Sequence, residues 1–268
     1  TGMPNYPRGK VYEGFSWWKN KRDMMENVPI FRVPLFARRE SKSWHLLLNF
    51  LSFAFSGCLF GPWLLRKKKF DVVFTYGNSP VTVAIPAILM SYVKNAPMCF
   101  WVQDLWPEAL SATGAIKSQK LLSIVGYGVK KIYRACDLIL LQSKGFIEPA
   151  VKVGAERWKV RYFPNWAEVL YRPIVLDPAA KERTEVPSTG FVVMFAGNLG
   201  TAQALDTIIE AAELLKDRDI HWVFFGSGRR QNWLDSEVES KQLSNVHVLG
   251  SRPMETMPRY FSLADAML

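Results

Sequence analysis

Short apolar runs alternate with stretches of helical periodicity along most of the chain. The clearest runs are Asp71–Tyr76, Met98–Gln103, Leu138–Gln142, Phe191–Ala196, His221–Phe225 and Val246–Leu249. They are short and lack strict polar alternation, as expected of strands covered on both faces of a parallel sheet. Between two of them, Leu205, Ile208, Ile209, Ala212 and Leu215 share one helical face, and Asp206, Glu210, Glu213 and Asp217 share the other. That strand, helix and next strand make a βαβ unit, and a second follows through Gly226 to Leu249. The pattern predicts an α/β protein with parallel sheets. Residues 165–189 are proline-containing and weakly periodic, so they are expected to link a first unit, 1–164, to a second, 190–268.

Two stretches depart from this rhythm. Trp44 to Leu65 carries no Asp, Glu, Lys or Arg, a length of about 20 residues that could cross a bilayer. However, His45, Asn49, Ser52 and Ser56 fall on one stripe, and positive residues flank both ends: Arg38, Arg39 and Lys42 before, Arg66 to Lys69 after. Three readings stand: a core helix, a helix lying in the membrane interface, or a spanning one. The second stretch puts Leu121, Leu122, Val125, Val129, Ile132, Tyr133 and Cys136 on one helical face, opposite Lys117, Lys120, Lys130, Lys131 and Arg134. The basic face is either an ordinary solvated surface or one suited to anionic lipid or a diphosphate-linked substrate.

The charge balance supports an anionic partner. With 34 basic and 24 acidic residues, the formal charge is +10. The basic residues are dispersed and match no nucleic-acid-binding module, so nucleic acid is not expected. Cys58, Cys99 and Cys136 have no metal or redox spacing and read as buried thiols. The chain opens at Thr1 and stops on what reads as the start of a strand at Ala264 to Leu268, so truncation at both ends is expected.

In open α/β sheets ligands bind beyond the carboxyl ends of the strands. That rule selects five loops. In the first unit they carry Asn78 and Ser79, then Asp104, Trp106 and Glu108, then Ser143 and Lys144; Ser79 is expected to cap the helix that Pro80 begins. In the second they carry Gly197, Asn198, Leu199, Gly200 and Thr201, then Gly226, Ser227, Gly228, Arg229 and Arg230. A glycine loop entering a helix offers backbone N–H groups to an anion. The second reads G-x-G-x-x-Gln and lacks the acidic partner of a dinucleotide site. Asp217-Arg218-Asp219 has a metal-binding D-x-D spacing but falls in a turn at the other end of the sheet.

Leu199, Gln203-Ala204-Leu205-Asp206, Ile209-Glu210-Ala211, Phe225-Gly226-Ser227-Gly228 and Val248-Leu249-Gly250 resemble the donor domain of the retaining family-four glycosyltransferases. Thr1-Gly2-Met3-Pro4-Asn5-Tyr6-Pro7, Asp104-Leu105-Trp106-Pro107 and Phe163-Pro164-Asn165 resemble the first domain of its branch that builds bacterial O-antigen, capsule and colanic acid. The resemblance implies a GT-B fold, with two Rossmann-like domains facing across a cleft, both incomplete here. It implies a metal-independent, cofactor-free transferase of hexosyltransferase type that moves a sugar, with retention, from a nucleotide diphosphate to a polyprenyl-linked glycan. Its implied place is the anionic inner face of the plasma membrane. Asp104 and Gln103 take the catalytic positions. Gly197 to Thr201, Gly226 to Arg229 and Arg252 face the donor. Asn78, Ser79, Trp106, Glu108, Ser143, Lys144 and Asn165 line the acceptor side.

The chain departs from the family at three positions. Asn198 and Gln203 stand where an Arg and a Lys commonly meet the diphosphate, and Gln103 stands where a His is common. The fragment alone is expected to be inactive. Two rival readings share these residues: a nucleotide-sugar 2-epimerase, and a membrane-surface binding protein with a degenerate donor site.

Overall fold

The computed structural model describes residues 1–5, 9–16, 22–38 and 43–268, so Tyr6, Pro7, Arg39 and Lys42 lie outside the described residues. The chain divides into two compact units, Thr1–Asn165 and Trp166–Leu268.

The first unit opens with a hairpin, β1 (Arg22–Met25) and β2 (Val28–Phe31), turned by Glu26 and Asn27 at positive φ. Helix α1 (Ser43–Leu64) follows, then β3 (Val73–Gly77), α2 (Ala84–Lys94), β4 (Met98–Val102), α3 (Glu108–Ala112), α4 (Gln119–Ala135), β5 (Leu138–Leu141), α5 (Ile147–Val153) and β6 (Val160–Tyr162). The four strands form one parallel sheet in the order β3-β4-β5-β6. Met98, Phe100, Ile139 and Leu141 pack under α2, α4 and α5, with Val129, Tyr133 and Cys136 descending from α4.

The predicted face of α4 is the packed one, except at Leu121. Leu122, Val129, Ile132, Tyr133 and Cys136 are buried, whereas Leu121 is 51% exposed because it sits one residue-step round from Leu122, off the contact line. Burial pushes the Cys136 thiol up to about 12, and Cys58 and Cys99 are half-buried. Helix α1 packs on α2 along one side only. Gly57 abuts Pro86, and the ammonium of Lys94 closes the carboxyl end of α1 by bonding to the carbonyls of Leu65 (2.6 Å) and Lys68 (2.8 Å).

The second unit contains α6 (Glu182–Glu185), β7 (Phe191–Ala196), α7 (Leu205–Leu214), β8 (Ile220–Phe225), α8 (Gln231–Ser240), β9 (Val246–Gly250), α9 (Met257–Phe261) and β10 (Ala266–Met267). Its sheet is parallel, in the order β10-β7-β8-β9. Both faces are covered. Leu199, Leu205, Ile209, Phe224 and Leu234 form one core under α7 and α8, and Met194, Val223, Phe225, Met257 and Tyr260 form the other. The alternation Val192/Met194 against Val193/Phe195 sends successive side chains of β7 into opposite cores.

The segment expected to link the units is largely part of the second one. From Trp166 onward it clusters with that unit, and Leu176, Ala180 and Val186 are buried. Two ion pairs fasten it: Glu182 with Arg259 (2.7 Å) and Glu185 with Arg252 (2.7 Å). Weak periodicity here reflects irregular packed chain rather than a free tether.

Candidate active site

In the second unit the loop after β7 and the loop after β8 are built against each other. Gly197 N–H donates to the Phe225 carbonyl (2.9 Å), Leu199 N–H to that of Ser227 (3.0 Å), and Arg230 N–H to that of Leu199 (2.9 Å). Glycine is required for this approach. A β-carbon on Gly226 would overlap the Gly197 carbonyl, and one on Gly228 would overlap that of Leu199; Gly226 also has φ +139°.

This bracing leaves a specific set of groups open. Among the described residues, the backbone N–H groups of Asn198, Ser227, Gly228 and Arg229 meet no acceptor. Asn198, Thr201, Ser227 and Arg229 are exposed. The Asn198 and Gln203 side-chain amides converge on Gly200, where a β-carbon would lie 2.5 Å from Asn198 Nδ2 and 2.8 Å from Gln203 Oε1. Unpartnered N–H donors on two adjoining loops, beside an arginine, suit an anion with several oxygens.

Two expected donor contacts, Leu199 and Arg252, are engaged inside the unit, as is Arg230 of the same loop. Leu199 is fully buried, and both its backbone N–H and carbonyl are spent in the brace, so it is a core plug rather than a ligand contact. Arg252 binds Glu185 and the carbonyls of Leu249 (2.7 Å) and Ser251, which occupies its guanidinium within the unit. Arg230 forks onto Asp206 and stacks on Trp233. Arg229 has no ion-pair partner among the described residues. Asp217 and Asp219 lie in the turn before β8, at the amino end of the sheet, as their sequence position indicates.

In the first unit the carboxyl ends of the strands carry two polar clusters. Ser79 Oγ donates to Asp104 Oδ2 (2.7 Å), and Trp106 Nε1 donates to Ser79 Oγ (3.2 Å). Ser79 is therefore not the helix cap expected: Pro80 precedes the first turn in extended conformation, and the hydroxyl turns to Asp104. The second cluster joins Gln103, Gln142 and Asn165. Gln142 Nε2 donates to the Gln103 carbonyl (2.7 Å), which fixes Gln142 Oε1 as acceptor for Asn165 Nδ2 (2.8 Å); Asn165 also donates to Gln103 Oε1 (2.9 Å). Gln103 is buried, with its Nε2 unpartnered.

Gln142 was missed by sequence reasoning, although a polar residue closing an apolar strand was a usable signal. Asn78 is exposed beside Ser79. Ser143 caps its turn by accepting from Gly145 N–H (3.2 Å), and Lys144 lies over the Tyr162 ring. Glu108 lines a shallow depression with Gln119 and Ser123 on α4, and no hydrogen bond joins it to Asp104.

Residues 177–268 match the family model described as glycosyl transferases group 1. The chain is 24% identical over its whole length to the putative colanic acid biosynthesis glycosyl transferase WcaI of Escherichia coli strain K12, covering 67% of that protein. It is 22% identical over 84% of its length to the probable glycosyltransferase WbjE of Pseudomonas aeruginosa, covering 55% of it. Among solved structures, Anabaena Alr3699/HepE in complex with UDP aligns with a TM-score of 0.62 at 14% identity, over 90% of this chain and 60% of that one. Sucrose-phosphate synthase from Thermosynechococcus elongatus aligns with a TM-score of 0.67 at 14% identity, over 92% of this chain and 61% of that one. The chain thus spans about three-fifths of these solved structures. Its two parallel α/β units have the GT-B fold, and residues 177–268 are similar to the glycosyl transferases group 1 family.

Proposed function

We propose that the protein carrying this chain is a retaining glycosyltransferase of bacterial surface-polysaccharide synthesis, of the O-antigen, capsule and colanic acid kind. It moves a hexosyl group from a nucleoside-diphosphate sugar to a polyprenyl-diphosphate-linked glycan on the inner face of the plasma membrane, without a metal or other cofactor. The observation that carries this reading is the pair of braced glycine loops in the second unit, with four open N–H donors and Arg229. A departing nucleoside diphosphate gains negative charge, and fixed donors aimed at it lower the barrier without reorganising. WcaI, by its name, supports the polysaccharide context, WbjE, by its name, supports glycosyl transfer, and the HepE complex supports a nucleoside diphosphate as the donor's handle.

In the first unit the Ser79–Asp104–Trp106 cluster supplies a carboxylate held by a hydroxyl, and the Gln103–Gln142–Asn165 amides supply donors and acceptors for sugar hydroxyls. The test is transfer from common sugar nucleotides to polyprenyl-diphosphate sugar, in the presence of a chelator. It is run on the chain together with whatever residues flank it in its gene. Transfer with retained anomeric configuration is expected. No transfer with any donor would sink the reading, and an isomerised free donor would replace it with an epimerase.

A further inference from the structure

Helix α1 is inside out for a helix facing water. Its polar residues point inward: His45, Asn49 and Ser56 are buried, Asn49 Nδ2 donates to the Phe36 carbonyl (2.6 Å), Ser56 Oγ donates to that of Pro34 (2.5 Å), and Ser52 Oγ accepts from Phe36 N–H (2.8 Å). Its outward row is Leu47, Leu51, Phe55, Leu59 and Trp63, spaced by four and between 49% and 71% exposed. A water-facing surface helix shows the reverse arrangement, and a contiguous apolar patch of this kind marks a contact surface.

The chemistry around the row identifies what covers it. Trp44 and Trp63 bracket the aliphatic and phenyl side chains, the distribution that suits the headgroup boundary at the ends and hydrocarbon between. From Trp44 to Phe70 there is no acidic residue, and Arg66, Lys67, Lys68 and Lys69 follow the helix as an exposed basic run. The Arg66 guanidinium lies 4.7 Å from the Trp63 ring, joining the cationic end to the apolar row. In the same helical layer, α2 exposes Tyr92 and Val93, and α4 exposes Leu121, Ile124 and Tyr127 beside Lys120 and Lys131. The polar stripe of α1 is bonded to the unit, and Gly57 and Gly61 lie against α2, so the helix lies on the unit rather than leaving it.

We propose that the outer face of α1 docks in the plane of an anionic lipid bilayer, with Leu47 to Trp63 in the acyl boundary and Arg66 to Lys69 among the phosphates. This deepens the membrane part of the function proposed above, and its test reads binding rather than transfer, so either can fail alone. Vesicles of phosphatidylcholine, with and without phosphatidylglycerol, are floated with the chain. Flotation is expected with the anionic vesicles and reduced by salt. Phe55→Glu with Leu59→Glu should cut the bound fraction about tenfold or more, and Lys67→Gln with Lys68→Gln and Lys69→Gln should remove the preference for phosphatidylglycerol. Leu214→Glu, at an exposed leucine of the second unit, should change nothing.

Should the glutamate variant fail to fold, brominated lipid replaces it. Quenching of the wild-type tryptophan emission is expected, and its loss in Trp44→Phe with Trp63→Phe. The proposal is overturned if the chain floats with neither vesicle, if the folded glutamate variant floats like wild type, or if quenching survives the tryptophan changes. It is also overturned if α1 instead pairs two copies, seen as a dimer that Phe55→Glu dissociates.

Discussion

Arg230 holds both carboxylate oxygens of Asp206 and lays its guanidinium 3.5 Å from the centre of the Trp233 ring, while its neighbour Arg229 is exposed. Two successive arginines at one loop thus have different work. Arg230→Ala should lower the thermal midpoint of the second unit by unfastening α7 from α8. Arg229→Ala should leave the midpoint unchanged and weaken nucleoside-diphosphate binding about tenfold, the scale of one charge-assisted contact. Calorimetric titration with UDP and with GDP, beside a melting curve, separates the two effects.

The glycine brace makes a graded prediction. Gly226→Ala and Gly228→Ala each drive a methyl group into backbone oxygen, and each should cost more than about 2 kcal/mol. Gly197→Ala meets only the Phe195 ring, at 3.6 Å, and should be nearly neutral. Denaturant unfolding of the three variants tests the order.

Ala204 stands at φ +47°, in the left-handed region, where it begins α7. Replacing it by glycine removes the β-carbon clash of that conformation, worth roughly 1–2 kcal/mol for an L-residue. Ala204→Gly should therefore stabilise the protein, although glycine loses more chain entropy on folding. A lowered midpoint would show that another interaction holds the residue.

His221 and His247 share a hydrogen bond of 3.2 Å across β8 and β9, and His221 lies 3.3 Å from Asp219. Burial, then the neighbouring imidazole, holds His247 below the usual histidine range. Below about pH 6.5 the unfolded chain binds a proton that the folded one resists. Stability from this group is thus present above that pH and lost as pH falls toward the folded value. His247→Gln should flatten the acid limb of a melting-temperature profile.

Asp104 is oriented by Ser79 and is solvent-accessible at the end of β4. If it serves the reacting sugar, Asp104→Asn should lower kcat by about 100-fold or more, the range of a positioned carboxylate. Ser79→Ala should lower it less, and neither should alter nucleoside-diphosphate binding to the second unit. Steady-state kinetics with a separate binding measurement checks this.

The fold was legible where the period was strong. All six predicted strands form, within two residues at either end, and the apolar face of α7 is the buried one. What escaped were contacts made by irregular chain. The hairpin at Arg22–Phe31 is too short and exposed to carry alternation, and the fastening of 176–186 depends on arginines 67 and 77 residues away. At the candidate site, the loops expected after the strands do follow β3, β4, β5, β7 and β8, but the allegiance of each side chain was not legible. Nothing local to Arg252 or Arg230 announces that its charge is already taken by Glu185 or Asp206. Likewise, the stripe His45, Asn49, Ser52 and Ser56 was visible, but its direction, toward the protein, follows from the carbonyls of Pro34 and Phe36.

The seating of α1 sets a heading as well as a contact. Asn49, Phe50 and Phe53 share a cavity with Asn78 and Pro80, past the carboxyl end of β3, while the Leu65 carbonyl is held by Lys94 at the end of α2, three residues before Pro97, whose carbonyl accepts from Val73 N–H at the start of β3. The helix, about 33 Å long, thus runs beside the sheet in the opposite sense to its strands. Because Lys94 ties down one end and Asn49 the other, a surface that takes up α1 takes up the compass of the whole unit. Strands laid level with that surface would open the Asp104 edge sideways along it.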